Sequence, residues 1–231
     1  MSAFATAHAK VDGPVLVDVA VEVPTVIIDM PYASKNNFTG EKLYKIKACL
    51  LRPEAARALL DAQYEFLNTG YRLKMLDCYR PKSVSMKMWD FGKRHNIACL
   101  ALGDACKKDN CGPAAPDCLW EPLTLYLSRT SIHSTGAAVD VTLVKNGKEL
   151  DMGTPFDHFG PEARTNSATG KQLENRLMLK RVMERHGFRN YFREWWHYNY
   201  VSEGKFPPLD ISFTDALKTI HEAEKTNEKT H

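Results

Sequence analysis

Apolar residues alternate with polar ones early in this chain. Val15, Val17, Val19 and Val21 fall on every second position, so residues 14–29 read as extended. Asn36-Asn37-Phe38-Thr39-Gly40 has turn chemistry, and alternation resumes from Leu43 to Leu50, which predicts a strand. Pro53 suits the first position of a helix and Gly70 its stop. The Ala- and Leu-rich stretch between them predicts a helix over about 53–68. Arg72 to Asp77 returns to strand character, and Pro81 opens a second helix to about His95. A loop rich in Cys and Pro follows over 99–122. Ala138 to Val144 is a β-rich run set between Gly136 and Asn146-Gly147, and Asn-Gly is a hairpin signal. A third helix is expected over about 171–186, stopped by Gly187, then an aromatic strand from Tyr191 to Val201. Strands and helices mix without a βαβ repeat. This predicts an α+β fold, a mainly antiparallel sheet with flanking helices. The length suits a single domain over 1–231, with frayed termini at about 1–12 and 222–231.

Charge narrows the choice of partner. The net charge is +3, and acidic and basic residues are mixed along the chain. With no basic tract or basic helical face, nucleic acid is not an expected partner. No run of 18 apolar residues exists, so no membrane span is expected. Met1 to Lys10 lacks the charged start and apolar stretch of a signal peptide. Its small residues, Ser2-Ala3-Phe4-Ala5, look like the flank of a cleavage site. They fit a mature exported chain as well as a cytoplasmic N-terminus.

Cysteine usage favours the first of these. Of six cysteines, four fall between Cys99 and Cys118, around the polar, turn-rich stretch Lys107 to Pro113. No Cys-x-x-Cys pair occurs, which argues against a thiolate zinc ribbon. Clustered cysteines in such a loop suggest at least one disulfide there, an oxidising compartment and hence the periplasm. Free, buried thiols in a cytoplasmic protein are the other reading.

Two segments carry candidate chemistry. In the first, Ser131 to Asp140, His133 precedes a small-residue turn and Asp140 lies inside the predicted strand. If Val139, Val141 and Leu143 face the core, Asp140 and Thr142 face the other side. A carboxylate there needs a partner, either a metal ion or an Arg or Lys. In the second, Arg193-Glu194-Trp195-Trp196-His197-Tyr198, a glutamate stands three residues before a histidine among aromatics. Each segment alone is as well explained by ordinary structure. Together they offer two histidines, one aspartate and a nearby glutamate. That is the make-up of a catalytic zinc site with three protein ligands and an open position for water. Neighbouring antiparallel strands could bring the ligands together, with the zinc site on the sheet. His158 and His186 keep ordinary readings, as a solvent-facing residue and a helix-end cation.

The pattern Ser-x-His-x6-Asp followed by Glu-x-Trp-His resembles the zinc D-Ala-D-Ala peptidase superfamily, most closely VanX-type D-alanyl-D-alanine dipeptidases. Tyr32 ahead of Asn37-Phe38-Thr39-Gly40, Asp77-Cys78-Tyr79-Arg80-Pro81, Met152-Gly153-Thr154-Pro155-Phe156-Asp157, Asn175-Arg176 and Met183 to Phe188 agree in order. The likeness spans roughly residues 15 to 205, and the Cys-rich loop departs from it. The resemblance implies one zinc per chain on His133, Asp140 and His197, with Glu194 as catalytic base. It implies Arg80 as the group that stabilises the developing oxyanion. Tyr32, Ser131 and Asp157 would hold a small dipeptide, largely at its ammonium end. A carboxypeptidase or endopeptidase acting on longer cell-wall peptides is the alternative, and a zinc-binding module without turnover a third. Glu194 argues against the third, since a structural site has no need of a base.

Overall fold

The strand Ala138–Lys145 is buried over seven of its eight residues, on both faces, because the sheet passes through the middle of the molecule. The computed structural model describes residues 14–102, 123–201 and 206–228. In chain order the strands are β1 (Val17–Asp18), β2 (Ile27–Ile28), β3 (Leu50–Leu51), β4 (Tyr71–Asp77), β5 (Ala138–Lys145), β6 (Lys148–Glu149), β7 (Phe188–Asn190) and β8 (His197–Tyr200). The helices are α1 (Val19–Glu22), α2 (Pro53–Leu67), α3 (Lys82–Leu102), α4 (Gly170–Arg185) and α5 (Phe213–Glu228). The main sheet runs β2-β4-β5-β8-β7, with β6 paired to β5, and β1 pairs β3 apart from it. The fold is therefore α+β, but the sheet is mixed, because β2 joins β4 in parallel while the other pairs are antiparallel.

Several elements form as their local chemistry dictates. Pro53 begins α2, and Ala55, Ala56, Leu59, Ala62 and Phe66 turn one apolar stripe inward. Asn146 (φ 52°) and Gly147 (φ 76°) are both left-handed, the two-residue turn that closes β5 onto β6. Others depart from the sequence reading. The valine-rich start is not extended throughout: Asp18 caps the amide of Ala20 and turns Val19–Glu22 into a short helix. The strand expected from Leu43 is reduced to Leu50–Leu51. The second helix continues past His95 to Leu102. Residues 222–228 form the last turns of α5, whose Phe213, Ala216 and Ile220 join the core. No helix of the described residues is long and apolar enough to cross a membrane.

Cys49 and Cys78 form a fully buried disulfide. It ties the residue before β3 to the residue after β4, beside the Tyr79 amide bond to the Leu50 carbonyl (2.9 Å). The disulfide expected within Cys99–Cys118 falls outside the described residues. Closing a loop of 29 residues restrains the unfolded chain by about 2–4 kcal/mol. The double variant Cys49→Ala, Cys78→Ala is therefore expected to lose about that much unfolding free energy in a denaturant titration. An unchanged midpoint would show that the bridge does not contribute.

Candidate active site

In the β5–β8 ladder Asp140 lies directly opposite His197. At the β4 end the register shifts by one residue between Met75 and Asp77, so Asp77 also pairs with Asp140. Such a bulge re-aims side chains at a strand end, and here it delivers Asp77, Cys78 and Arg80 to the same place. His133 arrives from the turn before β5. Ser131 caps that turn, its Oγ accepting from the His133 amide (3.3 Å), and Gly136 ends it in the left-handed region (φ 75°). A Cβ at Gly136 would also stand 2.6 Å from Leu16 Cδ2, so the turn requires glycine.

Three donor atoms converge. His133 Nε2 stands 3.1 Å from His197 Nδ1 and 3.3 Å from Asp140 Oδ1, and His197 Nδ1 stands 2.9 Å from the same carboxylate oxygen. The remaining ring nitrogens are engaged. His133 Nδ1 lies 2.7 Å from the Cys78 carbonyl, and His197 Nε2 lies 2.9 Å from Asn199 Oδ1. Both partners are acceptors, so each ring places its proton there and turns a bare lone pair inward. Two lone pairs and a carboxylate facing one another need a cation between them or extra protons on the rings. Ligands about 2.0–2.1 Å from a tetrahedral zinc stand about 3.3 Å apart, close to the three edges here. Two imidazoles and one carboxylate also make up a known catalytic ligand set. The residues thus fit zinc. Electrostatics tell the same story from the protonated side. Burial alone would lower the His133 pKa, but Asp140 and Asp77 outweigh it and raise it. Asp140, despite burial, is held well below the usual carboxylate range by His133 and His197.

Glu194 comes from a connection where the sequence predicted strand. Residues 191–196 join β7 to β8 as a tight loop, and the strand begins only at His197. Asn190 holds the loop shut, its Nδ2 donating to the carbonyls of Glu194 and His197 (3.0 Å each). Glu194 Oε2 lies 3.7 Å from His197 Nδ1, beside the donor triangle. Burial, reinforced by Asp140 and Asp157 and opposed by His197, pushes its pKa up to about 8. Arg80 pairs with Asp77 in the interior. Its Nε and Nη2 donate to one Asp77 oxygen at 2.9 and 2.6 Å, with both residues buried. Tyr44 donates to the other Asp77 oxygen (2.7 Å). Burial opposes the Arg80 charge, yet Asp77 and its neighbours keep the guanidinium firmly protonated.

The far wall carries Tyr32 and Asp157. The Tyr32 hydroxyl donates to both Asp157 oxygens, at 3.0 and 2.9 Å. Asp157 is held at φ 62°, and burial with Asp140 nearby raises its pKa well above the usual range. The loop bearing it is clamped from α4. Arg176 donates to the carbonyls of Met152, Glu162 and Arg164, and Asn175 to that of Asp151. This accounts for the Met152–Asp157 and Asn175-Arg176 motifs as one structural unit. The Asn37 turn sets Phe38 edge-on to Tyr32 and Phe159.

All eight residues singled out in the sequence line one narrow cavity of about 40 Å³. Sequence reasoning missed Tyr126, Leu127 and Phe159, which also line it, and no local signal marks them. It also passed over Asn199, two residues from His197 in the chain, whose Oδ1 lies 2.9 Å from His197 Nε2. His158 and His186 pair with Glu162 and Glu65, away from this cavity. A larger hollow of about 350 Å³ beside Met152, Pro155 and Trp195 contains none of these groups.

The profile of the D-ala-D-ala dipeptidase family, Peptidase_M15, matches residues 13–218. A D-alanyl-D-alanine dipeptidase of Escherichia coli is 30% identical over 202 residues, covering 86% of this chain and 91% of that protein. Another, of Enterococcus faecalis, is 32% identical over 196 residues, covering 80% and 90%. Among solved structures, VanYB in complex with D-Alanine-D-Alanine aligns with a TM-score of 0.39 at 17% identity, covering 78% of this chain and 84% of that one.

Proposed function

The chain belongs to the D-Ala-D-Ala dipeptidase family, and from that premise we propose that it is a single-domain, zinc-dependent peptidase hydrolysing the free dipeptide D-Ala-D-Ala. The observation that carries the reading is the convergence of Glu194 and Arg80 on the same cavity as the donor triangle. A metal-binding module without turnover has no use for either.

His133, Asp140 and His197 would hold the zinc, which when bound would polarise the scissile carbonyl and acidify water. Glu194 Oε2 takes a proton from the attacking water as its oxygen bonds to the carbonyl carbon. The same carboxyl then delivers that proton to the leaving amine nitrogen as the C–N bond breaks. The products are two molecules of D-alanine. Arg80, fixed by Asp77, offers a positive charge to the oxyanion without having to reorganise. Asp157, Tyr32 and Ser131 receive the substrate ammonium. An ammonium beside Asp157 supplies the positive partner that its buried carboxyl needs in order to ionise. The buried Cys49–Cys78 bridge supports an oxidising compartment such as the periplasm.

The test compares kcat/KM for D-Ala-D-Ala, its N-acetyl form and a pentapeptide ending in D-Ala-D-Ala, each with and without a chelator. Acetylation removes the charge and leaves buried polar groups unpaired, at about 1–3 kcal/mol each, or roughly 5- to 150-fold per group. The dipeptide is expected to be cut best, and chelation to abolish cleavage. Equal cleavage of the longer or blocked substrate would replace the dipeptidase with a carboxypeptidase. Activity that survives chelation would remove the metal.

A further inference from the structure

The two histidines of the donor triangle point opposite ring nitrogens inward, Nε2 of His133 and Nδ1 of His197. An imidazole does not choose between its nitrogens unaided. The tautomers differ little in energy, and the hydrogen bond made by the outer nitrogen selects one. For His133 that partner is a main-chain carbonyl, at Cys78. For His197 it is a side chain. Asn199 Oδ1 stands 2.9 Å from Nε2.

We propose that Asn199 is a positioning residue for the metal centre. It selects the Nε2–H tautomer of His197 and fixes the ring so that Nδ1 faces the cation. The inference rests on the metal reading above. It follows from placement as much as from the distance. His197 and Asn199 are two residues apart on β8, so their side chains leave the same face of the strand. Asn199 is held in register on both sides, opposite Ala138 on β5 and Arg189 on β7. His197 is itself opposite Asp140. The ladder that sets the separation of two ligands therefore also sets the residue that orients one of them.

The residue type matters as well. An amide oxygen can only accept, so it demands a proton on Nε2 and leaves Nδ1 bare. A carboxylate would do the same while raising the basicity of the ring. This site already gathers Asp77, Asp140 and Glu194, all buried, with the half-buried Asp157 across the cavity. Asparagine selects the tautomer without adding a further negative charge.

The experiment uses the full chain with zinc as the probe. In Asn199→Leu, which keeps the branching at Cγ and removes the acceptor, the zinc dissociation constant, read by competition with a chromophoric chelator, is expected to rise about 10- to 100-fold. Asn199→Asp restores the acceptor and is expected to bind zinc at least as tightly as the original protein. In the metal-free protein Asp140 also attracts a proton to Nδ1, so ¹⁵N NMR is expected to report a proton on Nε2 of His197 in the original protein and a shift toward the Nδ1–H tautomer in Asn199→Leu. If Asn199→Leu does not fold, Asn199→Ala carries both measurements. Unchanged zinc affinity, or a tautomer that does not respond to the substitution, would overturn the proposal even if thermal stability fell. Should the original protein bind no zinc, the metal reading fails, while the tautomer measurement still decides the role of Asn199.

Discussion

Glu194→Gln is expected to lower kcat on D-Ala-D-Ala by about 10²- to 10⁴-fold while leaving zinc bound. The substitution keeps the shape of the side chain and its place in the 191–196 loop, but removes the oxygen that can take a proton. Zinc should stay, because the donor triangle is complete without Glu194. Its 3.7 Å contact with His197 Nδ1 is longer than the 2.9, 3.1 and 3.3 Å separations among the three donors. The position is otherwise costly for a carboxyl group. It is buried, its pKa is pushed up to about 8, and Asp140 and Asp157 add to that penalty. A cation held by the donor triangle would offset that penalty and let the carboxyl ionise, and a carboxylate beside it can receive a proton. Elemental analysis and steady-state kinetics on one preparation make the test. Near-normal turnover would remove Glu194 from the mechanism, and loss of zinc would recast it as a ligand.

What could be read from the sequence was local. Pro53 and Gly70 bound α2 because their backbone restrictions act within a few residues, and Asn146-Gly147 closes a hairpin for the same reason. The alternation around Asp140 placed Val139, Val141 and Leu143 on one face and Asp140 on the other. What escaped depended on tertiary partners. Aromatic density from Tyr191 looked like strand, yet Trp195 and Trp196 are buried by packing against Arg176, Phe156 and each other, and the backbone there is a loop. The helix α5 escaped because only Phe213, Ala216 and Ile220 mark its buried side. The Cys49–Cys78 bridge joins residues 29 apart in sequence, and nothing in the spacing singles out that pair among six cysteines. For the site, a resemblance supplied roles, whereas the register of β5 against β8 supplies a physical reason for two of the ligands to meet.

That register leads to the second large effect. His197→Ala is expected to weaken zinc binding by more than about 100-fold and to leave less than one zinc per chain after dialysis. The bound on the magnitude comes from comparison. Loss of a residue that merely orients a ligand costs about 10- to 100-fold, so loss of the ligand itself should exceed the effect expected at Asn199. The fold should tolerate the change. His197 lies on a strand whose neighbour Tyr198 is fully buried, and it is held by main-chain pairing on both sides, through the Asp140 register on β5 and the Tyr191 amide. Removing the ring also leaves Asp140 and His133 as a two-member pair, with the carboxylate 3.3 Å from Nε2, a contact satisfied by a proton rather than a metal. Hydrolysis should fall with the metal and should not return on adding zinc at concentrations that saturate the original protein. Circular dichroism on the same sample separates loss of the ligand from loss of the fold. A folded His197→Ala protein that keeps a full equivalent of zinc would sink the ligand assignment.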